Sequence, residues 1–408
     1  MHEILSHDTY TKGVPHAAFK ALRDQSGIPF IPEPDGRGFW AITRYDDVLE
    51  VSKNPQIFSS AHGIRLEDMN AEENEARRTM MELDPPQHTA YRRLVQPPFS
   101  RREVLAYEGA VRLLAKEVIE NICGTPEFDF VQHIARELPM RMLGSLLGVP
   151  DQDGHWLVEK GDALIGNTDP EFTQHVIDQT STEEFRLMPF RSPAGLELFR
   201  YAGQEAAHRR KNPKNDLITR LLEPKIDGQP LSDQEFKNFF TLLVAAGNDT
   251  TRYTMAAGLE ALIQHPEQLE TLRQDLNLMD TAVEEILRWG SVTMHFRRTA
   301  IQDTVLAGTP IKSGDKVVMF YIAANFDERQ FAHPNQFDIR RTPNEHLAFG
   351  LKSPHKCLGE HLARLEIKVL FEELLPRVKA ISLNGKPERL RSNFISGIKH
   401  LPVRVDWV

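Results

Sequence analysis

Residues 347–367, LAFGLKSPHKCLGEHLARLEI, contain Cys357, one of only two cysteines in the 408-residue chain. A basic loop with glycine and proline precedes this cysteine, and apolar residues at helical spacing follow it. A thiol at the start of a helix faces free backbone N–H groups and the positive end of the helix dipole, which lower its pKa. Because His355 and Lys356 add positive charge beside it, we expect a thiolate at Cys357.

The sequence around Cys357 leaves several roles open. Most free cysteines are small buried hydrophobic residues. A zinc site would need a second cysteine at ligand spacing, and Cys123 is far away along the chain. A nucleophile would need a base and an oxyanion hole, and no clear partner is visible in the sequence. A single thiolate that binds haem iron needs no second cysteine.

The segment FGLKSPHKCLG resembles the haem-binding loop of the cytochrome P-450 family, F-G-x-G-x-H-x-C-x-G. The matching residues are Phe349, Gly350, His355, Cys357 and Gly359. The loop is one residue longer between Phe349 and Cys357, and Lys352 and Ser353 stand where the family has a glycine. The resemblance implies that Cys357 is the metal ligand, on the proximal side of the iron of haem b.

The stretch VAAGNDTTRYT, residues 244–254, interrupts an apolar helical pattern with poor helix formers. It resembles the oxygen-binding helix of the family, and Asp249 and Thr250 match the family's acid–alcohol pair. The resemblance implies that Thr250 positions water at the oxygen site and that Asp249 relays protons inward from solvent. Four neighbours are expected to shape the same site: Ala246, Gly247, Asn248 and Thr251.

The motif EEILRW places Glu285 and Arg288 three residues apart on a predicted helix. Such a pair is a weak signal alone, because exposed ion pairs at this spacing are common and contribute little. It matches the family's E-x-x-R, a structural salt bridge near the proximal face of the haem. Arg340 and Arg341 are both candidates for the third member of this network.

Four basic residues match the positions that bind the two haem propionates in the family. Buried anions require cationic or hydrogen-bonding partners. The matched residues are His88, Arg92, Arg298 and His355. His88 and Arg92 lie one helical turn apart, and Arg297 could take the place of Arg298 if the register shifts by one residue.

The remaining sequence predicts a mainly α protein with a small β-rich subdomain. Helices are expected at 102–122, 131–147, 232–264, 266–289 and 359–375. Strands are expected within 28–44, 297–321 and the last thirty or so residues, with turns at Asp35-Gly36, Ala307-Gly308 and Ser313-Gly314. Because the strands come from both ends of the chain, we expect residues 1–408 to form one domain. The resemblance implies the P-450 fold, a triangular helical body with haem between the oxygen-binding helix and the helix after the cysteine loop.

Composition restricts the class of protein. The net charge of -9 argues against a general nucleic-acid binder. Two distant cysteines do not make a disulfide framework, which favours a reducing compartment. The N-terminal sequence lacks the apolar core of a signal peptide, and no stretch of about 18 apolar residues could span a bilayer. We therefore expect a cytoplasmic protein without a membrane anchor.

The resemblance implies a bacterial haem-thiolate monooxygenase, an iron-dependent oxidoreductase that uses O2 as co-substrate. It would take electrons from NAD(P)H through a ferredoxin and a ferredoxin reductase, and act as a monomer. The expected reaction is hydroxylation, O-dealkylation or epoxidation of a small hydrophobic terpenoid, steroid or aromatic compound. Two alternatives remain at this stage: a non-catalytic haem-thiolate sensor, and a biosynthetic enzyme that acts on a carrier-bound substrate.

Two further sets of residues follow from the resemblance. The predicted substrate pocket is mostly apolar, which suits a hydrophobic guest. Its residues are Val244, Ala245, Val292, Met294, Phe296, Phe394 and Ile395. A basic docking patch for an acidic ferredoxin is predicted around the cysteine, formed by Lys352, Lys356, Arg364, Arg101 and Arg102.

Overall fold

The structure is a computed structural model that describes residues 3–34, 36–223, 229 and 231–408. Helices account for about 51% of it. The α-helices are α1 His7–Tyr10, α2 His16–Arg23, α3 Tyr45–Lys53, α4 Ala71–Arg77, α5 Gln87–Val95, α6 Arg101–Ala106, α7 Glu108–Glu120, α8 Glu137–Leu147, α9 Gly154–Ile165, α10 Pro193–Lys211, α11 Leu217–Leu222, α12 Asp233–Gln264, α13 Pro266–Gln274, α14 Met279–Gly290, α15 Tyr321–Ala324 and α16 Glu360–Leu374. The strands are β1 Phe30–Ile31, β2 Phe39–Ile42, β3 Phe58–Ser59, β4 Glu127–Asp129, β5 His295–Ala300, β6 Thr304–Leu306, β7 Thr309–Ile311, β8 Lys316–Phe320, β9 Val378–Leu383, β10 Glu388–Arg389, β11 Ile398–His400 and β12 Pro402–Trp407.

Two of the predicted helices, 232–264 and 359–375, are continuous in the structure, as α12 and α16. Helix α12 begins at Asp233, because Ser232 and Glu235 form a reciprocal capping box. The other three predicted helices are interrupted: residues 102–122 divide into α6 and α7, residues 131–147 begin with a π-helical turn before α8, and residues 266–289 divide into α13 and α14. The last break has a local cause, since the Asp275 side chain accepts a hydrogen bond from the Asn277 amide and starts a new turn.

The strands pair segments that are distant in sequence. The largest sheet has the order β1-β2-β8-β5-β3, with β2 parallel to β8 and the other pairs antiparallel, and a second sheet has the order β4-β12-β9. Ala307, Gly308 and Gly314 have positive φ angles, as the two predicted turns require. The third predicted turn includes Asp35, which lies outside the described residues.

Helix α12 runs through the interior and packs against α8, α9, α10 and α14. Helices α12 and α14 approach closely where Gly258 of α12 faces Ile286 of α14. A Cβ atom at Gly258 would lie only 2.7 Å from Cγ2 of Ile286, so a larger residue would push the two helices apart. No described helix is both long enough and apolar enough to cross a membrane.

A buried ion pair on α14 anchors the chain segment that follows β8. Glu285 and Arg288 are both fully buried, and two hydrogen bonds of 2.8 Å join the guanidinium to the carboxylate. Arg288 also donates to the carbonyl oxygens of Asn325 at 2.8 Å and Pro334 at 3.0 Å, while the Asp338 amide donates to Glu285. The pair predicted as structural therefore connects α14 to the segment that leads to the cysteine loop.

Arg341 is the third member of this network. Its Nε donates to Glu285 Oε2 at 3.0 Å, and its other nitrogens donate to the carbonyl oxygens of Ala332 and Gln336 at 2.7 and 2.9 Å. Arg340 is exposed, and its guanidinium has no hydrogen-bond or ion-pair partner among the described residues, although its backbone amide donates to Asp338 Oδ1. The ambiguity between the two arginines is thus decided by the direction of the side chains in the turn after Asp338.

Arg341→Gln should destabilise the protein, because it leaves part of a fully buried carboxylate without its donor. We expect a loss of about 2–4 kcal/mol in the free energy of unfolding, measured by thermal and denaturant unfolding of the cofactor-loaded protein. Arg340→Gln is the matched control and should change stability by no more than about 0.5 kcal/mol. Equal effects of the two substitutions would contradict the assignment of the network.

Candidate active site

A large cavity lies between α12 and the cysteine loop. It encloses about 1660 Å³ of space free of protein atoms, including its open mouth. Twelve of the site residues predicted from the sequence line it: Arg92, Ala246, Gly247, Thr250, Thr251, Val292, Phe296, Arg298, Phe349, His355, Cys357 and Gly359. Residues that are far apart in sequence are therefore assembled around one space.

The cysteine loop accommodates its extra residue without moving Cys357 away from the helix start. The Cys357 amide donates to the Phe349 carbonyl oxygen at 2.8 Å and closes the loop. Gly350 and Lys352 both have positive φ angles, of 69° and 61°. Lys352 thus adopts the left-handed backbone conformation that glycine adopts at little cost. The Ser353 amide donates to Gly350 O at 3.2 Å and secures the longer turn.

The thiol of Cys357 has accessible surface, but that surface faces the cavity. Because protein atoms surround the sulfur, burial raises its pKa, against the lowering effect of the Gly359 amide and the Arg92 charge. The protein groups that the sequence suggested, the helix start with His355 and Lys356, are therefore opposed by burial, which favours the neutral thiol at Cys357. A bound metal cation would supply the charge that stabilises the deprotonated sulfur.

His355 and Lys356, the two basic neighbours of Cys357, do not supply the free positive charge beside the sulfur that the sequence suggested. Burial, together with the charge of Arg298, lowers the pKa of His355 to about 2, so its imidazole is neutral. Lys356 forms an ion pair with Glu360 on α16. His355 instead acts as a neutral hydrogen-bonding group, with Nε2 3.1 Å from Ser60 Oγ.

The four residues predicted to bind propionates form a buried basic cluster. The rings of His88 and His355 lie 4.1 Å apart, although His88 itself does not line the cavity. Both ring nitrogens of His88 and Nη1 of Arg92 are buried and have no hydrogen-bond partner among the residues that the structure describes. Neither Arg92 nor Arg298 has a carboxylate within 4.0 Å in the described part of the chain, and burial lowers the pKa of both. Unpaired buried donors of this kind are costly and point to an anionic group that completes them.

Strand geometry decides between Arg297 and Arg298. Successive side chains of a strand point to opposite faces. Arg297 points away from the cavity, and its Nη1 lies 3.1 Å from Asp68 Oδ1. Arg298 lines the cavity, and its Nη1 donates to the Arg297 carbonyl oxygen at 2.8 Å.

On α12, the residues of the predicted acid–alcohol pair face different surroundings. Thr250 lines the cavity, and its Oγ1 donates to the Ala246 carbonyl oxygen at 2.9 Å. Asp249 is buried beside the cavity wall, where its Oδ1 accepts from Asn248 Nδ2 at 3.0 Å. A Cβ at Gly247 would lie 2.9 Å from Leu143, so this glycine also allows α12 and α8 to approach each other.

Asp249 belongs to a charged cluster that the sequence analysis missed. Arg252 pairs with Asp249 at 3.0 Å and with Asp162 of α9 at 2.7 Å. Burial raises the pKa of Asp249 to about 8, opposed by Arg252 and reinforced by Asp162. The Arg252 contact was detectable from its spacing of three residues, whereas Asp162 lies on another helix and gave no sequence signal.

A second chamber of about 920 Å³, open to solvent in part, adjoins the main cavity. The two spaces share a wall formed by Ile64, Met81, Leu242, Ala246, Thr250, Thr293 and Phe296. Of the predicted substrate-pocket residues, Ala245, Phe296, Phe394 and Ile395 line this second chamber.

Val244 and Met294 contact neither space, which corrects their prediction as pocket residues. Val244 is on the face of α12 that packs against Gly161 of α9. Met294 is fully buried in the hydrophobic cluster that contains Phe320. Arg65 and Phe190, from the 60–80 loop and the 165–190 segment that were also expected to contribute to the pocket, line the second chamber.

The predicted basic docking patch is largely compensated by acidic residues. Arg364 pairs with Glu284 at 2.6 Å and with Glu360 at 2.8 Å, and Lys356 shares Glu360. Arg102 pairs with Glu103, while Lys352 and Arg101 are exposed. The surface around the cysteine loop is thus less positive than the sequence suggested.

Comparison with known proteins identifies the family. The sequence model described as Cytochrome P450 matches residues 197–403. Methyl-branched lipid omega-hydroxylase of Mycobacterium tuberculosis is 39% identical over 396 residues, which cover 95% of this chain and 90% of the relative. The chain belongs to the cytochrome P450 family.

Other relatives support the same assignment for the P450. Linalool 8-monooxygenase of Pseudomonas putida is 38% identical, covering 97% of both chains. A Mycobacterium marinum cytochrome P450, solved in complex with pseudoionone, is 36% identical and superimposes with a TM-score of 0.88 over 97% of this chain and 96% of that chain. The predicted family and the P-450 fold are therefore confirmed. The chain is a P450 monooxygenase, an oxidoreductase of the haem- and iron-binding class.

The residues of the site fit a haem group. Cys357 offers a sulfur to the cavity, and Arg92, whose Nη1 has no hydrogen-bond partner among the described residues, lines the same cavity. His88 lies beside the cavity-lining His355, with ring centres 4.1 Å apart. No acidic side chain among the described residues takes their place within 4.0 Å of Arg92 or Arg298. The donor set thus combines a thiolate ligand for iron with cationic partners for carboxylates.

Arg298→Gln should accelerate haem loss, because it removes a cationic partner of a propionate. We expect roughly a tenfold or greater increase in the rate of haem transfer to apomyoglobin, since one charge-assisted hydrogen bond is worth about 1.5–3 kcal/mol. Arg297→Gln is the control on the opposite face of β5. A larger effect of Arg297→Gln than of Arg298→Gln would show that the register is wrong.

Proposed function

We propose that this P450 hydroxylates a small hydrophobic substrate, using haem b, O2 and two electrons from NAD(P)H. The electrons would arrive through a ferredoxin and a ferredoxin reductase. The observation that carries this proposal is that Cys357 and Thr250, from separate elements, line one cavity whose wall is shared with an apolar chamber. The relatives' names as monooxygenases and hydroxylases favour turnover over the sensor role.

When bound, haem with a thiolate ligand supplies O2 activation, since the anionic sulfur favours O–O cleavage. Cys357 would hold the iron through its sulfur. Arg92 and Arg298 would bind the propionates by charge-assisted hydrogen bonds, and neutral His88 and His355 would donate from their ring nitrogens. In this arrangement, the buried basic cluster gains the anionic partners that it lacks within the protein.

Thr250 is proposed to position a water molecule in the cavity. Its hydroxyl hydrogen is directed to the Ala246 carbonyl oxygen, which leaves the Thr250 oxygen free to accept a hydrogen bond from water. Asp249 is proposed to hold the proton that this water receives. Burial and the neighbouring Asp162 carboxylate raise the pKa of Asp249 to about 8, which favours the protonated form near neutral pH.

The proposed substrate is a terpenoid, a steroid or a lipid-like compound. The second chamber offers apolar contacts from Leu242, Ala245, Phe296 and Ile395. The similar proteins are named for a methyl-branched lipid, linalool and a steroid, and one similar structure holds pseudoionone. Aromatic substrates, O-dealkylation, epoxidation and a carrier-bound substrate stay predictions.

The single-domain organisation of residues 1–408 is also proposed. It is supported by strand pairing between distant segments, such as β2 with β8 and β4 with β12. The monomeric state and the cytoplasmic location stay predictions.

Thr250→Ala should uncouple electron consumption from product formation, because the water that receives the proton is no longer held. The probe is whichever of linalool, pseudoionone or testosterone gives the largest spin-state shift in the haem-loaded protein. We expect product per NAD(P)H to fall about tenfold or more, with a matching rise in hydrogen peroxide.

Thr250→Ser is the control for this experiment, since it keeps the hydroxyl group and should retain most of the coupling. Unchanged product and peroxide yields in Thr250→Ala would contradict the role of Thr250. Equal losses in both variants would point to packing rather than to the hydroxyl group.

A further inference from the structure

Arg65 is an arginine in the wall of the second chamber whose charge the protein does not compensate. It lies between β3 and α4, and its guanidinium carbon is 5.0 Å from the ring centre of Phe190 and 4.9 Å from that of Phe394. Within the described part of the chain, it has no hydrogen bond and no carboxylate within 4.0 Å. The two rings come from separate segments of the chamber wall and restrict the position of the guanidinium.

The other charged residues of this chamber have partners within the protein. Arg77 pairs with Glu67 and Glu73, at 3.2 Å each. Glu82 accepts hydrogen bonds from the amide and hydroxyl of Thr79. Burial raises the pKa of Glu82, which favours its neutral form. Among the described residues that line the chamber, Arg65 is therefore the cation that is available to a ligand.

We propose that Arg65 binds the carboxylate of an amphipathic substrate, so that the preferred substrates of this P450 are monocarboxylic acids with an apolar body. The inference rests on the proposed function and specifies its substrate class. Because the Arg65 guanidinium makes no hydrogen bond within the described part of the chain, its N–H groups are available to a carboxylate, which can accept two parallel hydrogen bonds from them. A phosphate, with about -1.5 to -2 charges, would need more cations than this chamber offers.

The placement of Arg65 also orients the substrate. Arg65, Phe190 and Phe394 line only the second chamber, whereas Ala246 and Thr250 belong to the wall that it shares with the cavity of Cys357. An acid held at Arg65 would extend its apolar body along Leu242 and Ile395 toward the shared wall. Oxidation would then occur on a carbon remote from the carboxylate.

The test compares acids with alcohols of the same skeleton. The probes are decanoic, dodecanoic, tetradecanoic and geranic acids, each paired with its alcohol, and binding to the haem-loaded protein is measured by titration calorimetry and by the spin-state shift. We expect at least one acid to bind about tenfold or more tightly than its alcohol. Arg65→Gln should remove that preference and leave alcohol binding within about twofold, because a charge-assisted hydrogen bond of 1.5–3 kcal/mol corresponds to roughly tenfold or more.

Two further variants and the carbon monoxide spectrum separate binding of the carboxylate by Arg65 from a general effect on the chamber. Arg65→Lys should keep part of the acid preference, and Arg93→Gln, at an exposed arginine of α5, should keep all of it. Equal weakening of acids and alcohols in Arg65→Gln would overturn the proposal, because it would assign Arg65 to packing of the two rings. Failure of every acid to bind more tightly than its alcohol would overturn it as well. In either case, an intact carbon monoxide spectrum and alcohol oxidation would leave the proposed monooxygenase function standing.

Discussion

The sulfur of Cys357 and the guanidinium groups of Arg92 and Arg298 enter one cavity, and the described residues place no carboxylate beside either arginine. Burial disfavours each of these charges separately, since it raises the thiol pKa and lowers the pKa of both arginines. A ligand that carries both a metal cation and carboxylate groups would stabilise the charges of all three residues. The rest of the structure can be understood as the framework that holds these groups at the right separation.

Two parts of the fold maintain that framework. The network of Glu285, Arg288 and Arg341 fixes the chain between β8 and the cysteine loop, and so determines where the loop begins. Gly258 allows α12 to lie close to α14, which carries this network. The position of Thr250 relative to Cys357 thus depends on packing at a distance from both.

The sequence predicted the parts of the site that depend on local patterns. The cysteine loop, the polar interruption of α12 and the Glu285–Arg288 spacing are all short-range features, and the structure brings their residues together. Properties of a residue that depend on its contacts with distant parts of the chain were not predictable from these local patterns. The pKa of Cys357 and the neutral state of His355 arise from burial by the whole fold. Asp162 approaches Asp249 because α9 packs on α12, and Arg65 lies in the chamber wall beside Phe190 and Phe394, which are distant from it in sequence.

The identity of the axial ligand is the most direct test of this account. We expect the reduced, haem-loaded protein with carbon monoxide to show the long-wavelength Soret band of thiolate-ligated haem. Cys357→His should replace it by the shorter-wavelength band of imidazole-ligated haem, whereas Cys123→Ser, at the other and exposed cysteine, should leave it unchanged. Persistence of the thiolate band in Cys357→His, or its loss in Cys123→Ser, would contradict the assignment of Cys357 as the iron ligand.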